Sequence, residues 1–357
     1  MLQQLDDQDR LSTLTDDILL SILGRVSTRL AAKTSVLSTR CRHLHRLLPE
    51  LSIDVKDFLS APSADPIEAN DMEQAMVSLT KATRCFLQLN LYLFNTSFCE
   101  VGSLIGDAID SGLLKDLDLT ILDETDPLDS VEEDMLQRGQ EIDAFFTAYP
   151  SVLHCLTKLF IQNADFDKLD MHHILFDCCK QLKHLVLYNC DTGSHSHFKI
   201  DAPNSKLRAL EIHKCRFLKI DLVCLPKLEK FVWNTWICQY APVTFGFVPS
   251  LVELELLCGS SDNKREFRLS ELLHGITGIH TLTLDFQGEN LWLQPEMEEL
   301  RTTFSKLRKL SVRGIFVEFD ILWTMAFLVA APSVKMLNIE VMFLSLSTCG
   351  SLFFYKF

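Results

Sequence analysis

The chain has 357 residues, of which 47% are hydrophobic and 23% are charged, a composition that predicts a folded protein and excludes an intrinsically disordered one. This length exceeds what one hydrophobic core usually supports, so two units are expected. Because no run of about 18 apolar residues occurs and the first ten residues have neither a basic nor an apolar segment, neither a membrane span nor a signal peptide is predicted.

Residues 14–48 predict two short amphipathic helices with a break at residues 27–29. Thr15 is placed to cap the first helix, and Asp16 and Asp17 favour its positive N-terminal end. The apolar stripe of the first helix consists of Leu14, Ile18, Leu19, Ile22, Leu23 and Val26, and that of the second of Leu30, Leu37, Cys41, Leu44 and Leu48. A segment this short cannot bury so much apolar surface by itself, so we expect a partner to cover part of it.

The same segment is basic, although the whole chain has a net charge of −14. Between Ile18 and Pro49 there is no acidic residue, and the basic residues are Arg25, Arg29, Lys33, Arg40, Arg42 and Arg46. This contrast predicts docking to an acidic protein surface. Nucleic acid is the competing interpretation, but apolar stripes fit a helical partner better than they fit phosphates.

These residues resemble an F-box, the module that docks a substrate receptor onto the SKP-type adaptor of a cullin ubiquitin ligase. The resemblance covers residues 9–55, and residues 34–44, TSVLSTRCRHL, are similar to the plant form. Thr15 and Ser27 replace two prolines that are usual in the family, and Cys41 replaces a tryptophan, which removes a large apolar anchor. The alternative is an ordinary helical hairpin packed on the rest of the chain. The resemblance implies an adaptor-binding surface of Leu14, Ile18, Leu19, Ile22, Leu23, Val26, Val36, Leu37, Arg40, Cys41 and Leu44.

Residues 56–80 predict a linker and a helix, and residues 81–357 repeat one pattern. An L-x-x-L-x-L motif, with other large apolar residues allowed, begins at Phe86, Leu114, Leu156, Leu182, Leu207, Leu228, Leu251, Ile279, Leu307 and Val334. All spacings except one of 42 residues lie in or near the period of about 20–29 residues that is typical of leucine-rich repeats. Each copy alternates apolar and polar residues, which predicts a strand, and the segments between copies predict helices or irregular turns.

A single strand with its return segment cannot bury its own apolar face, so the copies are expected to stack side by side. The predicted fold is therefore α/β, with an N-terminal helical F-box followed by a leucine-rich-repeat solenoid that has a curved parallel sheet and a helical or irregular convex side. A doubly wound α/β domain would need longer helices and less regular spacing. Two of the best copies end at Cys190 and Cys215, where the repeat requires a buried Asn or Cys.

Two segments depart from the repeat. The 42-residue gap contains an acidic insertion at residues 120–145, in which we expect a solvated loop, the less favoured alternative being a docking loop for a basic partner. Residues 102–114 before it predict a helix that leads into a strand. Residues 341–357 are almost uncharged and predict either a final buried strand or a chain that ends before further repeats, and we favour the second.

No catalytic signature occurs in the sequence: there is no G-x-G-x-x-G, no Walker loop, no G-x-S-x-G and no H-E-x-x-H. His172 and His173 lie in a predicted helix and point in different directions, and His195 and His197 lie in a predicted loop, so solvated histidines are expected rather than a metal site. None of the twelve cysteines has C-x-x-C spacing, which favours buried, reduced thiols and a cytoplasmic or nuclear protein. No cofactor, nucleic acid or membrane partner is expected.

From residue 202 onward the repeats are similar to those of plant F-box proteins with leucine-rich repeats. The resemblance implies a non-enzymatic receptor that binds a SKP-type adaptor, through it a cullin, and a protein substrate on the repeats. The alternative is a scaffold that works without a ligase. The substrate is expected on the outward positions of adjacent strands: His184, Val186, Tyr188, Glu211, His213, Lys230, Val232, Asn234, Glu253 and Glu255.

Overall fold

The computed structural model describes residues 14–23, 25, 52–54, 88–92, 98–110, 116–123, 125–167, 170–193, 197–236, 241–258, 268–285, 297–316, 327–342 and 354–356. The chain forms two compact units, residues 1–120 and 121–357. Among the helices within these described ranges, none is both long enough and apolar enough to cross a membrane.

The described part of the first unit contains helices and short strands. In chain order they are α1 (Asp16–Leu23), β1 (Ser52–Asp54), β2 (Gln88–Tyr92), α2 (Phe98–Asp110) and β3 (Leu117–Leu122). The strands follow the order β1-β2-β3, and β1 runs parallel to β2 with Ile53 opposite Leu89. The predicted helix leading into a strand is confirmed by α2 and β3. Strand β1 lies inside the range assigned to the F-box and was not predicted.

The second unit is organised by a main sheet in the order β4-β5-β7-β9-β11-β12-β13-β14-β15. Its strands are β4 (Leu156–Gln162), β5 (His184–Tyr188), β7 (Ala209–His213), β9 (Lys230–Trp236), β11 (Glu253–Cys258), β12 (Thr281–Asp285), β13 (Lys309–Phe316), β14 (Met336–Met342) and β15 (Phe354–Lys356). Neighbours are parallel except β14 and β15, which are antiparallel. Strands β2 and β3 of the first unit and every main-sheet strand from β4 to β14 begin within three residues of a predicted repeat start, so the repeat prediction is confirmed.

The core of the second unit is a ladder of apolar side chains from successive strands. Strand pairing places one buried residue of each strand opposite that of the next, and the ladder consists of Leu159, Leu185, Leu210, Phe231, Leu254, Leu282 and Leu310. Each fully buried side chain of this size contributes about 1.5–3 kcal/mol of hydrophobic stabilisation. Alternate residues of the same strands point away from this ladder, which creates the opposite face of the sheet.

The segments that return from one main-sheet strand to the next are of two kinds. Helical returns are the π-helical turn His173–Cys178, α5 (Leu269–Leu272), α6 (Met297–Thr303), the 3₁₀ turn Phe304–Lys306 and residues 327–330. Three other returns contain strands, β6 (His197–Asp201), β8 (Lys219–Cys224) and β10 (Val243–Phe247), which form a second parallel sheet. This second sheet packs on the main one, for example through the edge-to-face rings of Phe231 and Phe245 at 6.1 Å.

The solvated loop expected in the acidic insertion is wrong for most of its length. Residues 132–148 form α3 (Glu132–Ala148), which is followed directly by α4 (Pro150–Cys155). Helix α3 buries one side, and Met135, Gly139, Ile142, Phe145 and Phe146 are its buried residues. The acidic residues dominated the composition, but these apolar residues recur with a helical period and supply a packing face.

At the other end of the chain, β15 reverses direction and pairs with β14, with Tyr355 opposite Val341. The favoured interpretation of residues 341–357, a chain that ends before further repeats, stays a prediction.

Candidate functional site

The outward side of β4, β5, β7, β9 and β11, which we call the sheet face, brings together all ten residues predicted to bind a substrate. Parallel pairing arranges them in three rows. The first row is His184, Ala209, Lys230 and Glu253, the second is Val186, Glu211, Val232 and Glu255, and the third is Tyr188, His213, Asn234 and Leu257. The predicted residues therefore lie on one continuous surface.

Two of the ten contribute little accessible surface. Val186 is 7% exposed and Val232 is 4% exposed, because each lies between the longer side chains of the neighbouring strands in the middle row. They form the floor of the sheet face. The other eight are partly exposed, so polar and aromatic groups dominate the accessible part of the face.

Glu211 lies at the centre of the sheet face and is bonded from three sides. His184 Nε2 lies 3.2 Å from Oε1, Lys230 Nζ donates to the same oxygen at 3.1 Å, and His213 Nε2 lies 3.5 Å from Oε2. Hydrogen bonds from His184 and His213 hold the pKa of Glu211 well below its usual value of 4.5. For Lys230, burial is the largest effect and lowers the pKa, but the hydrogen bond to Glu211 and the charges of Glu211, Glu253 and Glu255 together outweigh it, so the pKa is raised.

An aromatic row lies beside this charged cluster. The rings of Phe160 and Tyr188 are stacked with centroids 6.4 Å apart, and the His213 ring lies 6.2 Å beyond Tyr188. Lys214 places its Nζ 5.5 Å from the centre of the Tyr188 ring. Phe160 and Lys214 were not among the predicted residues. Phe160 could have been found, since it occupies the outward position of the copy that begins at Leu156, whereas Lys214 follows its strand in a turn that the pattern does not specify.

Turns at the ends of the strands fix the geometry of the sheet face. Asn163 and Asn189 have positive φ values of 54° and 49°, a conformation that asparagine tolerates better than most residues. Asn189 donates to the side-chain oxygen of Asn163 at 2.8 Å. Cys190 and Cys215 are both buried, and the Cys215 thiol accepts from the backbone N–H of Cys190 at 3.3 Å. The predicted burial of the two repeat cysteines is thus confirmed.

The acidic insertion is attached to these turns by specific contacts. Arg138 of α3 pairs with Asp123 at 2.8 Å, and Asn163 donates to the same Asp123 carboxylate at 2.9 Å. The backbone N–H of Asp165 donates to the carbonyl of Met135 in α3 at 2.9 Å. In the loop before α3, Leu128 and Val131 are exposed. A docking role of the insertion for a basic partner, the less favoured alternative, stays a prediction.

The first predicted F-box helix divides into two sides. In α1, Leu19 and Leu23 are buried, whereas Ile18 is 47% exposed and Ile22 is 42% exposed. Leu14 is half-buried and precedes the helix, and the backbone carbonyl of Thr15 accepts from Leu19 N–H at 3.0 Å. The remaining predicted adaptor-binding residues lie outside the described residues: Val26, Val36, Leu37, Arg40, Cys41 and Leu44.

The described histidines do not assemble a metal centre. His172 Nε2 accepts from the backbone N–H of Asp201 at 3.2 Å, while His173 points to Asp177, so the two rings diverge as expected. His197 begins β6 with an exposed side chain, and His195 lies outside the described residues. Across the described ranges, no three His, Cys, Asp or Glu side chains meet in a way that could hold a metal ion.

Comparison with known proteins assigns the repeats to a family. The family model described as At1g61320/AtMIF1, LRR domain, matches residues 145–349, which is more than half of the chain. The chain belongs to this family. The match contains every strand of the sheet face, so the rows described above are built on repeats of this leucine-rich-repeat family.

Three curated proteins of Arabidopsis thaliana are similar to this member of the LRR family. The F-box/LRR-repeat protein At5g02910 is 28% identical over 222 residues, covering 61% of this chain and 42% of its own length. The F-box/FBD/LRR-repeat protein At2g04230 is 30% identical over 216 residues, covering 57% of this chain and 48% of its own length. The F-box/FBD/LRR-repeat protein At5g53840 is 43% identical over 54 residues, 15% of this chain and 12% of its own length.

The predicted resemblance to plant F-box proteins with leucine-rich repeats is confirmed by these findings. The chain spans less than half of the length of the curated relatives that it matches.

Proposed function

We propose that this chain is the substrate-recognition subunit of a SKP–cullin–F-box ubiquitin ligase. Its F-box docks the SKP-type adaptor, and its sheet face holds a protein substrate. In this role the chain itself makes and breaks no bond. The contribution to catalysis is proximity, because a substrate lysine held near the transfer site has a raised effective concentration.

The observation that carries the proposal is the sheet face, which combines a carboxylate bonded by Lys230 and two histidines with a row of aromatic rings. Tyr188 offers both apolar area and a hydroxyl group, and residues of this type dominate the binding energy of protein interfaces. The carboxylates Glu253 and Glu255 lie in the first and second rows of the sheet face and provide electrostatic selectivity. Such a mixture suits a folded or extended protein segment.

A second line of support comes from α1. Ile18 and Ile22 are one helical turn apart and both are exposed, so they form a small apolar patch on the surface. Leu19 and Leu23 are buried, so they stabilise the fold of this segment and are not available for direct contact with the adaptor. We therefore assign adaptor contact mainly to the exposed pair.

Adaptor docking is tested with a charge in the apolar patch. Ile22→Asp is expected to weaken binding of the full chain to a SKP-type adaptor by at least about thirtyfold in calorimetry, as is typical for the loss of a central apolar contact. Ser21→Asp introduces the same charge on the neighbouring exposed position and serves as the control. If the Ile22→Asp chain binds the adaptor as tightly as the control, the docking assignment is wrong.

To test substrate capture, partner proteins are first captured from plant extract with the unmodified chain. Variants of the sheet face are then tested for capture of the same proteins. Glu255→Lys and Tyr188→Ala are expected to abolish capture, whereas Lys199→Glu, on the outward side of the second sheet, leaves capture unchanged. A partner that ignores the first two changes but is lost with Leu128→Ser would place recognition in residues 125–131. Capture without any adaptor present in the complex would favour the ligase-independent scaffold.

A further inference from the structure

A thiol, an imidazole and a carboxylate meet on the π-helical turn His173–Cys178, which connects β4 to β5 and lies away from the sheet face. The thiol sulfur of Cys178 is 3.5 Å from His173 Nε2. The other ring nitrogen, Nδ1, is 3.2 Å from Asp177 Oδ2. This is the order of groups in which a base accepts the proton of a nucleophile while a third group orients the base.

The π-helical turn is the reason that these three side chains meet. Because its backbone hydrogen bonds join residues five apart, the side chains at positions 173 and 178 lie on nearly the same face, which an ordinary α-helix would not allow. Asp170 anchors the start of the turn, since its Oδ1 accepts from the backbone N–H of His173 at 2.9 Å. In the tautomer that carries the proton on Nδ1, His173 donates to Asp177 and presents the lone pair of Nε2 to the thiol.

The adjacent residues provide an internal contrast. Cys179 follows Cys178 directly but is buried, and burial raises the pKa of its thiol to about 12. A thiol with this pKa supplies almost no thiolate at neutral pH. His172 precedes His173, but its ring packs at 5.3 Å from that of Phe176. Of the two adjacent cysteines and the two adjacent histidines, only Cys178 and His173 face each other at the surface.

We propose that Cys178 is a site of reversible modification by small disulfides of the glutathione class, with His173 as the proton acceptor and Asp177 as the residue that positions it. The Cys178 sulfur attacks one sulfur of the disulfide while its proton passes to His173 Nε2. A new S–S bond forms to Cys178, the S–S bond of the reagent breaks, and the departing thiolate receives the proton from His173. Cys178 is oxidised and one half of the reagent is reduced to its thiol.

The exposure of Cys178, His173 and Asp177 to solvent favours a small soluble disulfide over a substrate that needs an enclosed active site. The side chains of His173 and Asp177 are 61% and 58% exposed, so bulk water reaches the imidazole. Acyl transfer requires a water-excluding site with donors aimed at a developing oxyanion. A small soluble disulfide needs only access to the sulfur and a base that takes its proton. This role is independent of substrate recognition by the sheet face.

The test uses the full chain and oxidised glutathione, with mass spectrometry of the tryptic peptide 169–180, in which the cysteines are Cys178 and Cys179. One glutathione is expected on this peptide, it is removed by dithiothreitol, and it is absent from the Cys178→Ser chain but retained by the Cys179→Ser chain. His173→Gln and Asp177→Asn are expected to slow the reaction, the first by about tenfold. His154→Gln, an exposed histidine on α4, is the control with an unchanged rate.

A rescue experiment with free imidazole distinguishes proton transfer by His173 from a purely structural role of this residue. Free imidazole added to the His173→Gly chain is expected to restore the rate at Cys178 without changing the circular dichroism spectrum. Modification on Cys179 instead of Cys178, or an unchanged rate in the His173→Gln chain, would overturn the proposal. A slowed His173→Gly chain that free imidazole does not accelerate would show that His173 only shapes the turn, and would overturn the assigned proton transfer.

Discussion

Glu211 is a carboxylate that three neighbouring strands share. Its partners are on β5, on β7 itself and on β9, so the cluster ties adjacent repeats together. Isolated pairs at partly exposed positions contribute little to stability, whereas a carboxylate with several donors at fixed distances contributes more. The side chain of Glu211 is only 20% exposed, which limits screening by water.

Replacing Glu211 by Gln should reduce the free energy of unfolding by about 1 kcal/mol at neutral pH, because Lys230 and two histidines lose the negative charge and one of the two oxygens of their common acceptor. Since the folded-state pKa of Glu211 lies below its usual 4.5, its stabilisation is present above that value and is lost as the pH falls below it. Urea titrations should therefore show a difference between wild type and variant that is constant near neutrality and shrinks in acid. Glu229→Gln, which breaks an exposed pair with Arg208 at 3.8 Å, should change stability by a few tenths of a kcal/mol at most.

Asp191 shows the opposite perturbation. It is buried in the turn after β5, and burial, strengthened by the charge of Asp165, raises its pKa to about 6. The folded state therefore keeps a proton that the unfolded state releases between the usual value of 3.8 and about 6. The cost of ionising this carboxylate is absent below that window and complete above it.

The Asp191→Asn chain is accordingly expected to be more stable than wild type by roughly 1–3 kcal/mol at about pH 7.5 and equal to it at about pH 4. Asparagine has nearly the same shape and can still accept the hydrogen bond that the backbone N–H of Thr192 donates at 2.7 Å. Thermal unfolding at both pH values measures the effect, with the exposed Asp201→Asn as control. A stability gain that is the same at both pH values would refute ionisation as its cause.

At the scale of elements, helix α3 depends on a close approach of two backbones. A methyl group at Gly139 would overlap the backbone carbonyl oxygen of Asp165. This approach accompanies the hydrogen bond from Asp165 N–H to Met135, so glycine allows α3 to lie directly on the turn that follows β4. The side of α3 that packs on this turn is therefore determined by the absence of a side chain at Gly139 as well as by the apolar residues of the helix.

Gly139→Ala tests this packing, because two effects have opposite signs. Helix propensity alone would stabilise the alanine chain by up to about 1 kcal/mol. Overlap with the Asp165 carbonyl should outweigh it and leave the variant about 1–3 kcal/mol less stable in urea unfolding. Gln140→Ala, at the next, exposed position of α3, is the control and should be neutral or slightly stabilising. Stabilisation by Gly139→Ala would show that α3 does not approach the turn so closely.

Some elements of the fold could be predicted from the sequence and others could not. The strands of the main sheet could be predicted because each copy alternates and the copies recur at one period, which fixes the register and hence the rows of the sheet face. Strands β6, β8 and β10 could not, since segments such as HFKID (197–201) are short and become a sheet only when neighbouring repeats align them. The contact of Gly139 with Asp165 is likewise a property of tertiary packing that no local pattern contains. In α1, periodicity predicted one apolar stripe but not its division into a buried and an exposed pair.

The molecule as a whole performs its proposed role only if the F-box and the sheet face act in the same chain. Binding energy at each surface contributes to one outcome, the local concentration of substrate near the transfer site. A chain that keeps one surface and loses the other should therefore compete with the intact receptor. This property distinguishes a ligase receptor from a scaffold, for which loss of adaptor binding would have no consequence.

In a reconstituted ligase with a captured partner at limiting concentration, a tenfold excess of the Ile22→Asp chain over wild type should reduce ubiquitination of the partner by about tenfold, since most of the partner is then held by a chain that cannot dock. The double variant Ile22→Asp/Glu255→Lys should not inhibit, because it binds neither component. Equal inhibition by both variants would mean that the partner is held elsewhere than on the sheet face. If the wild-type chain captures the partner but supports no ubiquitination while the adaptor is bound, the receptor function itself is excluded.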